Sequence, residues 1–102
     1  TGRHLADGLN RLRQRHPLIG DVRGRGLFFG IELVCDRSTR QPAPRAAERV
    51  RDRLRENGVL LGTTGSHGNV LKIRPPLVFE QRHADRLLET LDEGLAWAES
   101  RT

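Results

Sequence analysis

The segment from Leu27 to Val34 alternates between apolar and mixed side chains, and this alternation constrains the fold more than any other feature of the sequence. Neighbouring side chains of a β-strand point to opposite faces of the sheet, so residues two apart share a face. One face is purely apolar and consists of Leu27, Phe29, Ile31 and Leu33. The opposite face is mixed and consists of Phe28, Gly30, Glu32 and Val34. We therefore predict a strand whose apolar face alone lies in the core.

Three further segments carry apolar residues at the spacing of an amphipathic helix. They predict helices over residues 5–15, 43–56 and 81–99. The first helix is expected to end at His16-Pro17, because the residue before a proline avoids the helical region. The second is expected to end at Asn57-Gly58, because glycine readily takes the left-handed position that closes a helix.

Two short strands are predicted over residues 59–61 and 70–74, on either side of a glycine-rich loop over residues 62–69. We interpret the glycine-rich segment 19–26 as turns. The resulting order, α-β-α-β-β-α, predicts an α+β fold, a two-layer sandwich whose three-stranded, mainly antiparallel sheet has helices on one face. The 102 residues suffice for a single domain, 1–102. No predicted helix remains to cover the second face of the sheet.

The charge of the chain comes almost entirely from arginine. The formal net charge is +5, with 17 arginines and a single lysine, Lys72. The arginines are scattered among acids, and the aromatic residues are only three Phe and one Trp, with no Tyr. A nucleic-acid-binding domain usually clusters its cations and offers aromatic rings on which bases stack. The composition therefore argues against a nucleic-acid partner.

The sequence offers no pattern typical of a metal site or a nucleophilic catalyst. Cys35 is the single cysteine and cannot form an internal disulfide, and the four histidines lack metal-ligand spacing, so we expect them on the surface. We therefore expect no metal ligand and no catalytic residue in this chain. No apolar run approaches the about 20 residues that cross a bilayer, and no signal peptide opens the chain. The simplest interpretation is a cytoplasmic protein without a membrane partner.

The predicted strand over residues 70–74 is the best candidate for a binding site. By the two-residue period, Leu71 and Ile73 face the helices, while Lys72 and Arg74 share the opposite face. Two adjacent cations on an uncovered sheet face suit a carboxylate or a phosphate. An ordinary solvated strand face, or ion pairs with Glu32, explains the same pattern and is the more frequent case.

The loop over residues 62–69 contains glycines and hydroxyl side chains, as phosphate-binding loops do. It lacks the spacing of a P-loop and does not open a helix, so a plain hairpin loop is the more frequent explanation.

Three runs of this sequence resemble the small domain of the class III aminotransferases. They are residues 20–33, with the letters GDVRGRGLFFGIEL, residues 57–61, NGVLL, and residues 69–77, NVLKIRPPL. The closing helix from Ala84 onward fits as well. The resemblance implies that the chain is the C-terminal small domain of a larger fold type I enzyme that uses pyridoxal phosphate. Such an enzyme is dimeric or tetrameric, and a homodimer is the form we expect.

In that family, the resemblance implies, the large domain supplies the lysine that binds the cofactor. Lys72 lies in the small-domain strand and is not that residue, so no cofactor-binding residue is expected in this chain and the fragment alone should be catalytically inactive. The expected partners are the large domain of the same enzyme and an amine or amino-acid substrate.

Lys72 also departs from the common pattern of the family, in which an arginine at this position grips the substrate carboxylate. A lysine cannot make the planar bidentate contact of an arginine. The run NVLKI is similar to that of ethanolamine-phosphate phospholyase-like members, which eliminate phosphate from amino-alcohol phosphates. The resemblance thus implies that Lys72 and Arg74 contribute to the binding of a substrate anion.

Two other classes of function remain open on the sequence. The chain fits a stand-alone module that binds a small anion or dimerises through its uncovered sheet face. A nucleic-acid-binding α+β domain that uses the arginine surplus is the less favoured alternative. Neither alternative accounts for the resemblance of the three runs together.

Overall fold

The computed structural model describes residues 2–25, 28–59, 61–74 and 80–101. In chain order its elements are α1 (Gly2–Arg15), β1 (Ile19–Arg25), β2 (Phe28–Asp36), β3 (Gln41–Pro42), α2 (Pro44–Glu56), β4 (Gly62–Thr64), β5 (Val70–Ile73) and α3 (Gln81–Glu99). The three predicted helices and the α+β class are confirmed. Leu27, Leu60 and the run 75–79, which the sequence interpretation used, lie outside the described residues.

The strands form one antiparallel sheet in the order β1-β2-β5-β4, and the short β3 pairs with the far end of β2. β2 is the central strand, with β1 on one side and β5 on the other. At its middle, Ile31 lies opposite Val22 of β1 and Leu71 of β5. Directly opposite residues of an antiparallel pair share a face, so this register aligns the apolar residues of β2 and β5.

The prediction of only three strands was wrong, because the described part of the chain holds five. The segment interpreted as turns is mostly strand β1. Gly20 and Gly24 do not have positive φ there. Instead they make room for neighbours: a Cβ on Gly24 would lie 2.5 Å from the Phe29 ring, and one on Gly20 would lie 2.8 Å from Val34. These glycines therefore serve close packing inside a sheet rather than a change of chain direction.

The strand predicted over residues 59–61 lies further along, at Gly62–Thr64. Val59 is instead tied to the end of α2, because its backbone N–H donates to the carbonyl of Leu54 at 2.9 Å. Gly58 has a φ of 81°, the left-handed value expected of a residue that ends a helix. The predicted helix end at Asn57-Gly58 is thus confirmed, and it delays the start of the strand.

A single apolar core fills the space between the sheet and the helices. Its most completely buried large side chains include Leu5, Leu9, Ile31, Leu33, Val50, Leu54, Leu71, Leu91 and Leu95. The core face predicted for the central strand is confirmed at Phe29, Ile31 and Leu33, as is the inward orientation of Leu71 and Ile73. Val34, assigned to the mixed face, is nevertheless only 1% exposed. The absence of a side chain at Gly20 and the pairing with Pro42 explain this burial.

His16 is buried, contrary to the expectation of surface histidines. Its Nε2 lies 2.5 Å from a carboxylate oxygen of Asp92, and its Nδ1 lies 2.7 Å from one of Glu99. The backbone N–H of Leu18 donates to the other oxygen of Glu99 at 3.2 Å. These contacts fix the end of α1 and the start of β1 against α3.

Two glycines at helix contacts provide a matched test of core packing. A Cβ on Gly94 of α3 would lie 2.5 Å from Cδ1 of Leu54, which is fully buried and has no space to move. A Cβ on Gly8 of α1 would meet the tip of Leu88, which is partly exposed and can rotate outward. Alanine favours a helix over glycine by up to about 1 kcal/mol, whereas overpacking a core costs about 1–3 kcal/mol.

We therefore expect Gly94→Ala to lower the free energy of unfolding by about 1–2 kcal/mol, because overpacking exceeds the gain in helix propensity. Gly8→Ala should leave that free energy unchanged or raise it by up to about 0.5 kcal/mol. Urea denaturation followed by circular dichroism measures both. An equal loss in the two variants would contradict the assigned difference between a fixed and a mobile neighbour.

Candidate functional site

Lys72 lies at the centre of the sheet face that the helices leave uncovered. Its direct neighbours across the sheet are Gly30 of β2 and Gly62 of β4. Neither neighbour has a side chain, and a Cβ on Gly62 would meet nothing within 4 Å. The β4 side of the Lys72 stem is therefore open, whereas on the β2 side the Val70 side chain lies 3.3 Å from the point where a Cβ of Gly30 would be.

The ring of Phe28 contacts two cations, Lys72 in β5 and Arg74 directly after that strand. The ring centroid lies 5.2 Å from Nζ of Lys72 and 4.5 Å from Cζ of Arg74. Phe28 itself is 41% exposed. The face of an aromatic ring attracts a cation at such distances, so the three side chains form one group. We refer to Phe28, Lys72 and Arg74 as the Phe28 cluster.

The other end of the same face carries cations that are neutralised. Glu32 accepts a hydrogen bond from Arg40 at 2.8 Å and one from Arg23 at 3.4 Å. The hydrogen bond from Arg40 to Glu32, with the charge of Glu32, raises the pKa of the Arg40 guanidinium further above its usual value. Asp21 lies 3.4 Å from Arg23 as well. This end of the face therefore has little uncompensated charge.

The Phe28 cluster has no such compensation among the residues that the structure describes. Neither Lys72 nor Arg74 forms an ion pair with a described carboxylate, whereas Glu32 is occupied by Arg23 and Arg40. The explanation that Glu32 pairs with the cations of β5 is therefore wrong. Two positive charges remain side by side on an open surface, an arrangement that suits an anionic ligand.

The loop before β5 is a hairpin turn attached to β2 through Asn69. Asn69 is 5% exposed; its side-chain amide donates to the carbonyl of Leu33 at 2.9 Å, and its own carbonyl accepts from the Leu33 N–H at 2.8 Å. Gly65 and Gly68 take positive φ values of 91° and 64°. The N–H of Gly68 donates to Gly65 inside the turn. This is the geometry of the plain hairpin alternative.

A polar cleft of about 480 Å³ separates this turn from Glu32 and its two arginines. A second cleft of about 620 Å³ lies at the C-terminal end of β2, near Cys35 and the start of α2, and its lining is mostly apolar. Cys35 is exposed at its rim. Neither cleft contains Lys72 or Arg74 among its lining residues.

Within the described ranges, no group of three or more His, Cys, Asp or Glu side chains has an arrangement that could hold a metal ion. No helix in the same ranges is long and apolar enough to cross a membrane.

Comparison with known proteins agrees with this fold. The sequence model of the class III aminotransferases matches residues 1–95, and the chain belongs to that family. It is 44% identical to alanine–glyoxylate aminotransferase 2 homolog 2, mitochondrial, of Arabidopsis thaliana, over 94% of this chain and 20% of the relative. It is 43% identical to ethanolamine-phosphate phospho-lyase homolog 1 of Caenorhabditis elegans, over 92% of this chain and 20% of the relative.

Solved structures give the same picture. A phospholyase from Arthrobacter in complex with phosphoethanolamine superposes with a TM-score of 0.88 at 46% identity, covering 93% of this chain and 22% of the other. A transaminase from a marine Virgibacillus superposes with a TM-score of 0.90 at 31% identity, covering 98% and 24%. The chain thus spans about a fifth of the length of the curated relatives that it matches.

The cofactor of this family, pyridoxal phosphate, does not fit the residues of this chain. Binding it as an imine requires a lysine, and the single lysine here is Lys72, which lies against Phe28 beside Arg74. No described carboxylate pairs with this group to serve the pyridine nitrogen of the cofactor. The described residues therefore do not supply the groups that would hold the cofactor ring.

Sequence reasoning identified Lys72 and Arg74 as candidates but missed Phe28. The alternation of β2 correctly assigned Phe28 to the mixed face, and this was the one available signal. Which residues it touches depends on the pairing of β2 with β5, which aligns Gly30 with Lys72. The sequence does not specify that register by itself.

Asn69 offers a test of how this face is held in register. In Asn69→Ala the Leu33 carbonyl loses the hydrogen bond from the Asn69 side chain but still accepts one from the Ala43 N–H at 3.0 Å. We expect a loss of about 1 kcal/mol in the free energy of unfolding for this variant. Asn69→Asp places a buried carboxylate against that carbonyl and should lose about 2–3 kcal/mol at neutral pH.

The Asn69→Asp deficit should shrink as the pH falls, because burial raises the pKa of the new carboxyl above its unfolded value of about 3.9 and its protonated form can donate to Leu33. Denaturation at pH 7 and pH 4.5 measures this, with Asn10→Asp on the exposed face of α1 as the matched control. A deficit independent of pH would contradict the assigned contact.

Proposed function

We propose that this chain is the C-terminal small domain of a pyridoxal-phosphate-dependent class III enzyme and that it closes over the active site. Its open sheet face, with the Phe28 cluster, would then be directed towards the substrate. The uncompensated pair of cations on that face is the observation that carries the proposal. The coverage of about a fifth of each relative supports the view that other parts of the enzyme complete the site.

The proposed substrate is an amine that carries an anionic group, and a phosphate fits this group best. Lys72 contributes a compact point charge, and Arg74 adds a planar set of donors from the same face. A phosphate has enough acceptor oxygens to serve both. Relatives named for ethanolamine phosphate, from Caenorhabditis elegans and Arthrobacter, support this substrate class.

The part of the reaction that falls to this chain is binding and orientation. Lys72 and Arg74 hold the anionic end, which fixes the direction in which the amine end points. A large domain with its own lysine would hold the cofactor, which would supply the electron sink for bond breaking at the carbon next to the amine. Elimination of phosphate is the reaction that this proposal favours, with transamination as the other outcome that the relatives' names support.

A homodimer and a cytoplasmic location complete the proposal. The homodimer rests on the family resemblance, whereas the cytoplasmic location rests on the sequence interpretation. The Arabidopsis relative is named as mitochondrial, so the compartment stays a prediction.

The second candidate is a stand-alone module that dimerises through the open sheet face. The observation in its favour is the 41% exposure of Phe28 on that face. Sedimentation of the 102-residue chain distinguishes the candidates: a stable dimer that Phe28→Ser dissociates would favour the module. A nucleic-acid role is less favoured, since many described arginines, such as Arg15, Arg40 and Arg53, pair with carboxylates.

The parent gene provides the direct test of the domain proposal. We expect the DNA upstream of the codon for Thr1 to continue in frame and to encode a large α/β domain with its own cofactor-binding lysine. A start codon immediately before Thr1, with no such domain, would overturn the proposal.

In the full-length enzyme, Lys72→Ala should raise the KM for a phosphorylated amine by roughly 10- to 100-fold, because a charge-assisted hydrogen bond is lost. The KM for a neutral amine should change less than about two-fold. Steady-state kinetics with both substrates measures the difference. Lys72→Arg should retain part of the affinity for the phosphorylated amine. The matched control is Arg55→Ala, which removes a cation on the outer face of α2 and should leave both KM values unchanged. Equal effects on both substrates would exclude the anion-binding role.

A further inference from the structure

Phe28 is a large apolar side chain that lies on the surface, although exposure of an apolar ring to water is unfavourable. Among the described residues it is the one exposed large hydrophobic side chain, at 41%. The core does not account for it, because its neighbours Phe29 and Ile31 face the core and Phe28 faces away. Its contacts with Lys72 and Arg74 are the interactions that the structure gives it.

Lys72 has little else to hold its ammonium group in place. Gly30 and Gly62, its two neighbours across the sheet, provide no side chain to restrict its four-carbon stem. No described carboxylate forms an ion pair with it. Without a restraint, a lysine stem samples many rotamers and loses that freedom whenever a ligand is bound.

The ring of Phe28 also explains how the like charges of Lys72 and Arg74 remain close to each other. Lys72 and Arg74 repel each other, and no described acid lies between them. The ring of Phe28 attracts both, at 5.2 Å and 4.5 Å from its centroid. An aromatic face attracts a cation without consuming its hydrogen-bond donors, so both groups keep their N–H bonds available for an anion.

We propose that Phe28 is a positioning residue that holds the ammonium of Lys72 and the guanidinium of Arg74 on one patch, so that a single phosphate group bridges both. This inference rests on the proposed function, since it concerns the same anion site. Phe28 acts through the two cations and does not itself bind the phosphate.

The test is a set of Phe28 variants in the full-length enzyme, with inorganic phosphate as a competitive inhibitor and a phosphorylated and a neutral amine as substrates. Phe28→Leu keeps an apolar side chain but removes the ring. It should weaken phosphate inhibition and raise the KM for the phosphorylated amine by roughly 5- to 30-fold, because two exposed cation–π contacts are lost. The kcat for that substrate and the KM for the neutral amine should stay within about two-fold.

Phe28→Trp should restore phosphate affinity to at least the wild-type level, because indole is the strongest of the aromatic partners of a cation. The matched control is Trp97→Leu, which removes a ring that Arg53 and Arg101 contact at 5.3 Å and 4.2 Å on α3, away from the open sheet face. This variant should leave phosphate inhibition unchanged. Thermal unfolding of all variants separates a loss of folded protein from a loss of affinity.

The outcomes distinguish this inference from the proposal on which it rests. If Lys72→Ala weakens phosphate binding and Phe28→Leu does not, the positioning role is excluded and the anion site stands. If neither variant affects phosphate binding, the anion site itself is excluded. Equal losses for the phosphorylated and the neutral amine in Phe28→Leu would show that the ring contacts the substrate directly, and this would also overturn the positioning role.

Discussion

The register between β2 and β5 is the constraint on which both faces of the sheet depend. It aligns Ile31 with Leu71 on the core side and Gly30 with Lys72 on the open side. Because the side-chain period of a strand is two residues, a slip of one position would exchange the two faces and place the charge of Lys72 in the core. Asn69 stabilises the correct register, since it forms two hydrogen bonds with Leu33 at the end of the paired region. Core packing and the position of the Phe28 cluster therefore both depend on this one pairing.

The cations of the open face differ in whether a carboxylate neutralises them, and this difference matters more than their number. At one end Glu32 is shared by Arg23 and Arg40, and their charges largely cancel. At the other end the cations lie against an aromatic ring, which attracts a positive charge without neutralising it. A ring can thus gather two cations and leave their attraction for an anion intact, whereas a carboxylate would satisfy them internally. This contrast explains why the same strand β2 supports a structural ion pair at Glu32 and a candidate binding group at Phe28.

The helices, their ends and the strand β5 could be predicted because each depends on local patterns. Apolar residues at helical spacing, Gly58 at a helix end and the alternation of Leu71 and Ile73 need no distant partner to be recognised. Strand β1 was missed because its glycines are typical of turns, and only the proximity of Phe29 and Val34 shows that they permit close packing. The burial of His16 was missed for a similar reason, since Asp92 and Glu99 reach it from α3.

The sequence by itself determined the α+β class, the family resemblance and the presence of two cations on a sheet face without a helix. These follow from periodicity, turn residues and short motifs, which are local properties of a chain. Only the tertiary structure decided that Glu32 is occupied by Arg23 and Arg40 and that Phe28 lies against Lys72 and Arg74. The physical reason is that a contact between strands depends on register and on side-chain reach across the sheet, and alternation along one strand specifies neither.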